Sequence, residues 1–323
     1  METAEISGGN AGSLAPADAD TLKQKTARLS IASNTFLVFA KLGVGIAIGS
    51  VGIISEAIHS GIDLVAALIA YFAVRRSSEP PDQCHTFGHG KYESVSGLIE
   101  ALLIFVAALL IINEAVTTLI TGEESLATEA LGIGIGVMAL SAVINWFISA
   151  RLMRVAKETE SIALESDAWH LRTDVYTSLG VFAGLVLIRV TGLTILDPLV
   201  ALGVAVIILK AAFDLTRRSL ADIIDRSLPP DEEARIRGII CDHCSDYVGF
   251  HALRTRRSGP NRFIDLHLVV ARGSSVEESF DLVKHLESDL KTEFPRASVT
   301  IRVEPCSGDG CASCDSICPT RKP

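Results

Sequence analysis

Apolar residues dominate six stretches of this chain, near Ile31 to Ser50, Val51 to Val74, Leu98 to Ile120, Leu126 to Ala150, Ile162 to Val190 and Leu193 to Phe213. A helix needs about 20 such residues to cross a bilayer, so the pattern predicts six membrane spans. The fifth departs from the rest. Glu165, Asp167, His170, Arg172 and Asp174 load its first half, and hydropathy alone begins it near Val175. A helix charged to that degree must turn those side chains toward protein or water.

Beyond Leu220 the periodicity is that of a soluble domain. Asp231 to His243 has helical spacing after Pro229-Pro230, and Gly249 to Arg257 and Arg262 to Ala271 alternate as strands around Ser258-Gly259-Pro260-Asn261. Val276 to Phe294 is amphipathic, and Ala297 to Val303 reads as a last strand. The order αββαβ packs naturally as a small open sheet with helices on one side. The predicted organisation is a disordered tail over residues 1–26, an all-α six-helix transmembrane domain over 27–219, a cytosolic α+β domain over 220–305 and a cysteine-rich tail over 306–323.

Composition sharpens this picture. With 49% hydrophobic and 21% charged residues and a mean hydropathy of +0.39, the chain is too apolar for an ordinary soluble protein of its size. The net charge of -9 and the scattered Lys and Arg exclude a nucleic-acid partner. Met1 to Asp20 is polar and acidic and lacks the apolar core of a secretory signal. Lys23, Lys25 and Arg28 precede the first span, Arg75, Arg76 and Lys91 lie between the second and third, Arg151, Arg154 and Lys157 separate the fourth and fifth, and Arg217 and Arg218 follow the sixth. The links Gly49 to Gly52 and Thr121 to Glu129 hold no basic residue, and the fifth-to-sixth link holds only Arg189 at its edge. By the positive-inside rule both termini are expected in the cytoplasm, with the protein in a plasma or inner membrane.

The chemistry concentrates in a repeated pattern, His59-x-x-x-Asp63 and His170-x-x-x-Asp174. Residues four apart on a helix share a face, so each pair offers an imidazole nitrogen beside a carboxylate oxygen. Two nitrogens and two oxygens suit a tetrahedral dication such as Zn2+. The alternative is a buried polar network that holds two helices together. Neither pair is His-Glu-x-x-His, so an intramembrane zinc protease lacks its ligands and base. No nucleophile and base arrangement or phosphate loop points to an enzyme of another kind.

Other clusters are Asp82, His85 and His89 with Cys84 between them, which read either as a second metal site or as a solvated polar loop. If the hairpin turns around Gly259, His251 and His267 lie opposite each other, as metal ligands or as a core-facing pair. Of the seven cysteines, Cys306, Cys311, Cys314 and Cys318 crowd the end of the chain as a candidate metal-capture or sensing tail. Cys241-x-x-Cys244 with His243 is a weaker motif, since amphipathic helices often bury a cysteine. Glu100 and Asn145, within apolar spans, are expected to bond to neighbouring helices.

Several segments together resemble the cation diffusion facilitators: Ser55-Glu56-Ala57-Ile58-His59-Ser60 with Asp63, Phe87-Gly88-His89-Gly90-Lys91, the His170/Asp174 pair, Asp225-Arg226 and Leu253-Arg254-Thr255-Arg256. The resemblance runs from about Lys25 to Pro305. It implies a zinc-type metal/proton antiporter with six membrane helices and a cytosolic αββαβ domain of ferredoxin-like, metallochaperone-like type that pairs as a homodimer. It also implies a transport site at His59, Asp63, His170 and Asp174, a loop site at Asp82, His85 and His89, a regulatory site at His251, His267 and Glu304, and an interdomain ion pair of Lys91 with Asp225. Members with aspartate at the position of His59 handle iron or cadmium along with zinc, and histidine there is similar to the more zinc-selective branch. Phe280 and Arg302 stand where members with a two-metal cytosolic site carry histidines, so the resemblance implies a single ion at most in that site.

The expected function is efflux of divalent cations from the cytosol, Zn2+ foremost and Cd2+, Fe2+, Co2+ or Ni2+ as further candidates, exchanged for protons across the lipid membrane. Zn2+ is then the transported substrate and a regulatory ion, with no catalytic cofactor. Two rivals are a metal-gated channel, which conducts without proton exchange, and a membrane-tethered metal sensor built on the cysteine tail and soluble domain.

Overall fold

The computed structural model describes residues 15–48, 51–121, 131–191 and 195–307. Six long helices come first: α1 (Pro16–Ile48), α2 (Val51–Ser77), α3 (Lys91–Thr121), α4 (Leu131–Thr159), α5 (Ile162–Thr191) and α6 (Leu196–Ile223). Among the described residues, five segments are long and apolar enough to cross a membrane, Pro16–Ala47, Ala57–Ser77, Lys91–Thr121, Ala139–Thr159 and Pro198–Ile223. The 30-residue α5 is as long but carries the charged stretch noted above.

Residues 16–26, read from sequence as part of a disordered tail, are instead the opening turns of α1. Proline suits a first helical turn because its missing N–H has no helical partner there. Tertiary contacts then hold these turns: the Lys23 ammonium is buried 2.8 Å from Glu93 Oε1 on α3, and Asp20 lies 3.0 Å from Arg296 of the soluble domain. The boundary at 219/220 also moves. Helix α6 continues to Ile223, because no residue breaks it before Asp225, whose φ is +57°.

Small residues let the membrane helices approach. Ala101, Ile104 and Ala108 of α3 pack on Ile208, Ala212 and Leu215 of α6, and Val155 and Ala156 of α4 pack on Ala163, Leu164 and Ala168 of α5. Without a hydrophobic driving force in lipid, such close van der Waals contact is what associates helices.

The soluble domain follows as α7 (Pro230–Asp242), β1 (Gly249–Ser258), β2 (Asn261–Val270), α8 (Val276–Glu293) and β3 (Ala297–Pro305), the αββαβ order expected. The sheet order is β1-β2-β3, with β1 antiparallel and β3 parallel to β2. Strand β2 alternates strictly, and its Ile264, Leu266 and Leu268 pack with Ile236 and Ile240 of α7 and Leu286 and Leu290 of α8. Burying each such side chain contributes about 1.5–3 kcal/mol. Ser275 starts α8 with a reciprocal capping box to Glu278. Since alternate residues face opposite ways, His267 falls on the face that the helices leave open.

The two parts meet at the end of the bundle where α3 and α5 begin and α6 ends. Lys91 Nζ lies 3.0 Å from Asp225 Oδ1, which also pairs with Arg256 at 3.1 Å. The Arg256 guanidinium stacks over Phe263 and Phe87 at 4.3 and 4.9 Å from their ring centres. Gly259, with φ +58°, sits so close that a Cβ there would stand 2.7 Å from the carbonyl oxygen of Gly90. Only glycine fits this contact.

Candidate metal centre

Helix α2 supplies His59 and Asp63 one turn apart, and α5 supplies His170 and Asp174 with the same spacing. The faces carrying these pairs meet. His59 Nε2 lies 4.0 Å from Asp63 Oδ1 on its own helix and 3.7 Å from Asp174 Oδ1 across the interface. His170 Nε2 lies 3.0 Å from Asp63 Oδ1. One donor atom each from His59, Asp63 and Asp174 lies within 4.8 Å of the other two. His170 stands outside that trio and joins it through Asp63. Ligands bound 2.0–2.2 Å from a tetrahedral ion stand about 3.4 Å apart, so separations of 3.0 to 4.0 Å need only small rotamer changes to close on one ion.

The site is asymmetric. Asp63 and His170 are buried, whereas the His59 side chain is 54% exposed, and His59 lies on α2 a turn farther from the soluble domain than Asp63. The set therefore opens on its His59 side. Asn145 of α4, expected only to bond a neighbouring helix, donates through Nδ2 to Asp174 Oδ2 at 3.3 Å. Its place beside a candidate ligand was not readable from spacing, because α4 carries no repeated polar pattern.

Asp82, His85 and His89 also converge, with donor atoms within 4.8 Å of one another. Asp82 Oδ1 accepts from the backbone N–H groups of Cys84 and His85 at 2.8 and 2.6 Å, an Asx turn. The His85 N–H bond is the largest influence, and with the Cys84 N–H bond and the charges of His89 and His85 it outweighs burial and holds the Asp82 carboxyl below the usual range. Its Oδ2 lies 3.3 Å from His89 Nε2. Cys84 is exposed and takes part only through its backbone.

On the sheet, His251 and His267 are direct cross-strand partners with ring centres 5.1 Å apart. Glu304 of β3 reaches both, at 3.1 Å from His251 Nε2 and 3.1 Å from His267 Nδ1. The three lie on the open face, so the core-facing alternative does not hold. Arg302 Nε is 3.3 Å from Glu304 and adds a positive charge there, while Phe280 is exposed on α8. Cys311, Cys314 and Cys318 lie outside the described residues, and Cys306 follows β3, its N–H bonded to Val270 O at 2.9 Å. Cys241 and Cys244 are exposed, not core residues.

A polar knot near the soluble domain had no signal in the sequence. Glu93 Oε1 receives Lys23 at 2.8 Å and Ser77 at 2.6 Å, and Ser161 bonds its other oxygen. One buried carboxylate thus joins α1, α2, α3 and the α4–α5 link. Nearby, Glu160 pairs with Arg262 and Arg257 of the soluble domain. Burial pushes the Glu160 carboxyl up, but the Arg262 hydrogen bond and the surrounding arginine charges outweigh it and leave it below the usual range.

The model of the cation efflux transmembrane domain matches residues 27–224, and that of the cation efflux protein cytoplasmic domain matches residues 228–306. The chain belongs to the cation efflux, or cation diffusion facilitator, family. Among relatives, it is 37% identical over 286 residues to the uncharacterized transporter sll1263 of Synechocystis sp., covering 88% of this chain and 91% of that one. It is 35% identical over 259 residues to the cation-efflux pump FieF of Yersinia pestis, covering 80% of this chain and 85% of the pump. A solved structure of CzrB in its Zn form is 41% identical, with 26% of this chain and 96% of that chain covered and a TM-score of 0.25. Cation diffusion facilitators are transporters, not enzymes, and the apolar helices of this member make it an integral membrane protein.

Proposed function

We propose that this cation diffusion facilitator exports divalent metal ions, Zn2+ foremost, from the cytosol in exchange for protons. The observation that carries this reading is the meeting of His59, Asp63 and Asp174, with His170 on Asp63, between two helices of an apolar bundle. Ionisable side chains at membrane depth are costly and line substrate paths. In this reading α5 is a sixth span, lined against protein and water, and the transport site comprises all four residues.

Proton exchange follows from competition for the same atoms. A neutral imidazole with an ordinary pKa near 6.5 coordinates metal and a protonated one does not. His170 Nε2 faces the Asp63 carboxylate at 3.0 Å, where a proton bridges the pair and a metal ion displaces it. Alternating exposure of the site to the two sides then converts a proton gradient into metal efflux. The His59-side opening corresponds to the outward-facing state, with the Glu93 knot closed on the cytosolic side.

The remaining assignments share this frame. Basic residues flanking the spans favour both termini in the cytoplasm of a cell bounded by a plasma or inner membrane. The helical bundle from Pro16 to Ile223 transports, the αββαβ domain from Pro230 to Pro305 regulates and pairs the protein as a homodimer, and His251, His267 and Glu304 hold a regulatory ion. Asp82, His85 and His89 hold another ion at the loop, and Lys91 with Asp225 interlocks the two domains. Histidine at position 59 favours Zn2+ over Fe2+ and Mn2+, because nitrogen is the softer donor. Cd2+, Co2+ and Ni2+ compete to lesser extents.

The test is transport by protein reconstituted into vesicles under an imposed pH gradient, comparing Zn2+, Cd2+, Fe2+ and Mn2+. Wild type should acidify the compartment that loses metal, and His59→Asp should lose Zn2+ selectivity. Metal flux without any proton movement would favour a channel instead. A metal response that survives His59→Ala and Asp174→Ala would favour a sensor.

A further inference from the structure

Asp167, His170 and Asp174 are spaced three and then four residues apart, so all three fall on one stripe of α5. Asp167 lies one turn nearer the soluble domain than His170. It is fully buried, and neither of its carboxylate oxygens has a hydrogen-bond partner among the described residues. Glu100 of α3 is also fully buried; its Oε1 accepts from Ser96 at 3.1 Å, and its Oε2 has no such partner. The two carboxylates lie within electrostatic range of each other, and Asp167 is within range of Asp63 and His170. Packing agrees with this proximity: a Cβ on Gly97 of α3 would stand 3.0 Å from Ser166 Oγ of α5. From α1, the fully buried Ser30 hydroxyl approaches Asp167 without reaching hydrogen-bond geometry, and it has no partner either.

Two carboxylates this deep in an apolar bundle must either take up protons or face a compensating cation. The buried lysine at this end of the bundle is already taken by Glu93. We propose that Asp167 and Glu100 form a second, transient site for a hydrated divalent cation, occupied between the soluble-domain side of the membrane and the four-ligand site. The inference rests on the carrier reading and adds a step to it. Two carboxylates match the charge of a dication, and an oxygen-only set holds it less tightly than the nitrogen-containing set beyond. Water bridging the ion to the Ser30 hydroxyl and the remaining oxygens lets dehydration proceed in stages. Along α5, Asp167 comes about 8 Å after Ile162 and Asp174 about 18 Å after it, so an ion entering from the soluble-domain side meets Asp167 first.

Asp167→Asn and Glu100→Gln, singly and together, reproduce the shape of the uncharged acids. In vesicles with the soluble domain facing the metal, kcat/KM for Zn2+ should fall roughly tenfold through loss of local ion concentration. Equilibrium affinity of the four-ligand site should be retained, and Asp167→Glu should recover part of the rate. Unchanged kcat/KM in the amide variants would mean that both acids sit protonated, and the proposal would fail. Rate and affinity falling in parallel would make the two residues mere supports of the four-residue site and overturn it as well. A second measurement stands apart from turnover: in His59→Ala/Asp174→Ala protein, equilibrium dialysis with Cd2+ should reveal a weak ion that adding Asp167→Asn removes, and identical stoichiometry would contradict the site. Wild-type vesicles without metal flux would instead defeat the carrier reading itself.

Discussion

Asn145 Nδ2 on α4 reaches Asp174 Oδ2 on α5 across 3.3 Å, so a neutral amide orients a carboxylate of the candidate transport site. Removing a group that orients a metal ligand typically costs about 10- to 100-fold in metal affinity. Asn145→Leu, which keeps the volume and removes the donor, should weaken Zn2+ binding by about tenfold. Calorimetric titration of the purified protein measures this, and an affinity equal to wild type would remove Asn145 from the site.

The Lys23–Glu93 pair is almost fully buried at 2.8 Å. Removing one partner strands the other charge, a loss of roughly 3–5 kcal/mol. Lys23→Met should therefore lower the thermal transition strongly, and Lys23→Met with Glu93→Gln should recover much of it. A double variant less stable than the single one would contradict this account.

Acid should loosen the joint between the domains. Burial raises the carboxyls of Glu160 and Asp225, but hydrogen bonds and charges from Arg262 and Lys91, respectively, leave both below their ordinary range. A depressed folded pKa stabilises fully above the unfolded value, about 4, and that contribution disappears as pH falls through the folded value. Spin-label distances between α6 and β2 should accordingly hold at pH 5 and broaden only below about pH 4. Broadening already near neutrality would point to another group.

Metal at the sheet should depend on Glu304 as much as on the histidines, because that one carboxylate lies 3.1 Å from each ring. In full-length protein whose candidate loop and transport-site residues are replaced, both His267→Ala and Glu304→Gln should abolish the remaining Zn2+-dependent rise in melting temperature. Retention of the rise in Glu304→Gln would reduce the site to the two imidazoles.

Much of this was legible before any coordinates. The repeat of His59/Asp63 in His170/Asp174 marks two helix faces, since i,i+4 spacing fixes a shared side on any helix. The turn at Gly259 sets the register from Ser258–Asn261 to Arg254–Asp265, which carried on would place His251 against Leu268 on the core face. A bulge between His251 and Arg254, where Ala252 has φ +51°, shifts the strand by one residue and pairs His251 with His267, and the period of β2 gave no sign of it. The start of α1 was not legible. Residues 16–26 look like a polar tail, and only contacts with Glu93 and Arg296 explain their helix.

Local spacing therefore determined the candidate ligands and the αββαβ order, because helical and strand periods are properties of the nearby backbone. Which faces meet was decided by packing between segments far apart in sequence: Asp63 with His170, Asn145 with Asp174, and Lys23 with Glu93. A buried charge has no preferred partner until the helices around it have excluded water and left one within reach, and that choice belongs to the tertiary structure.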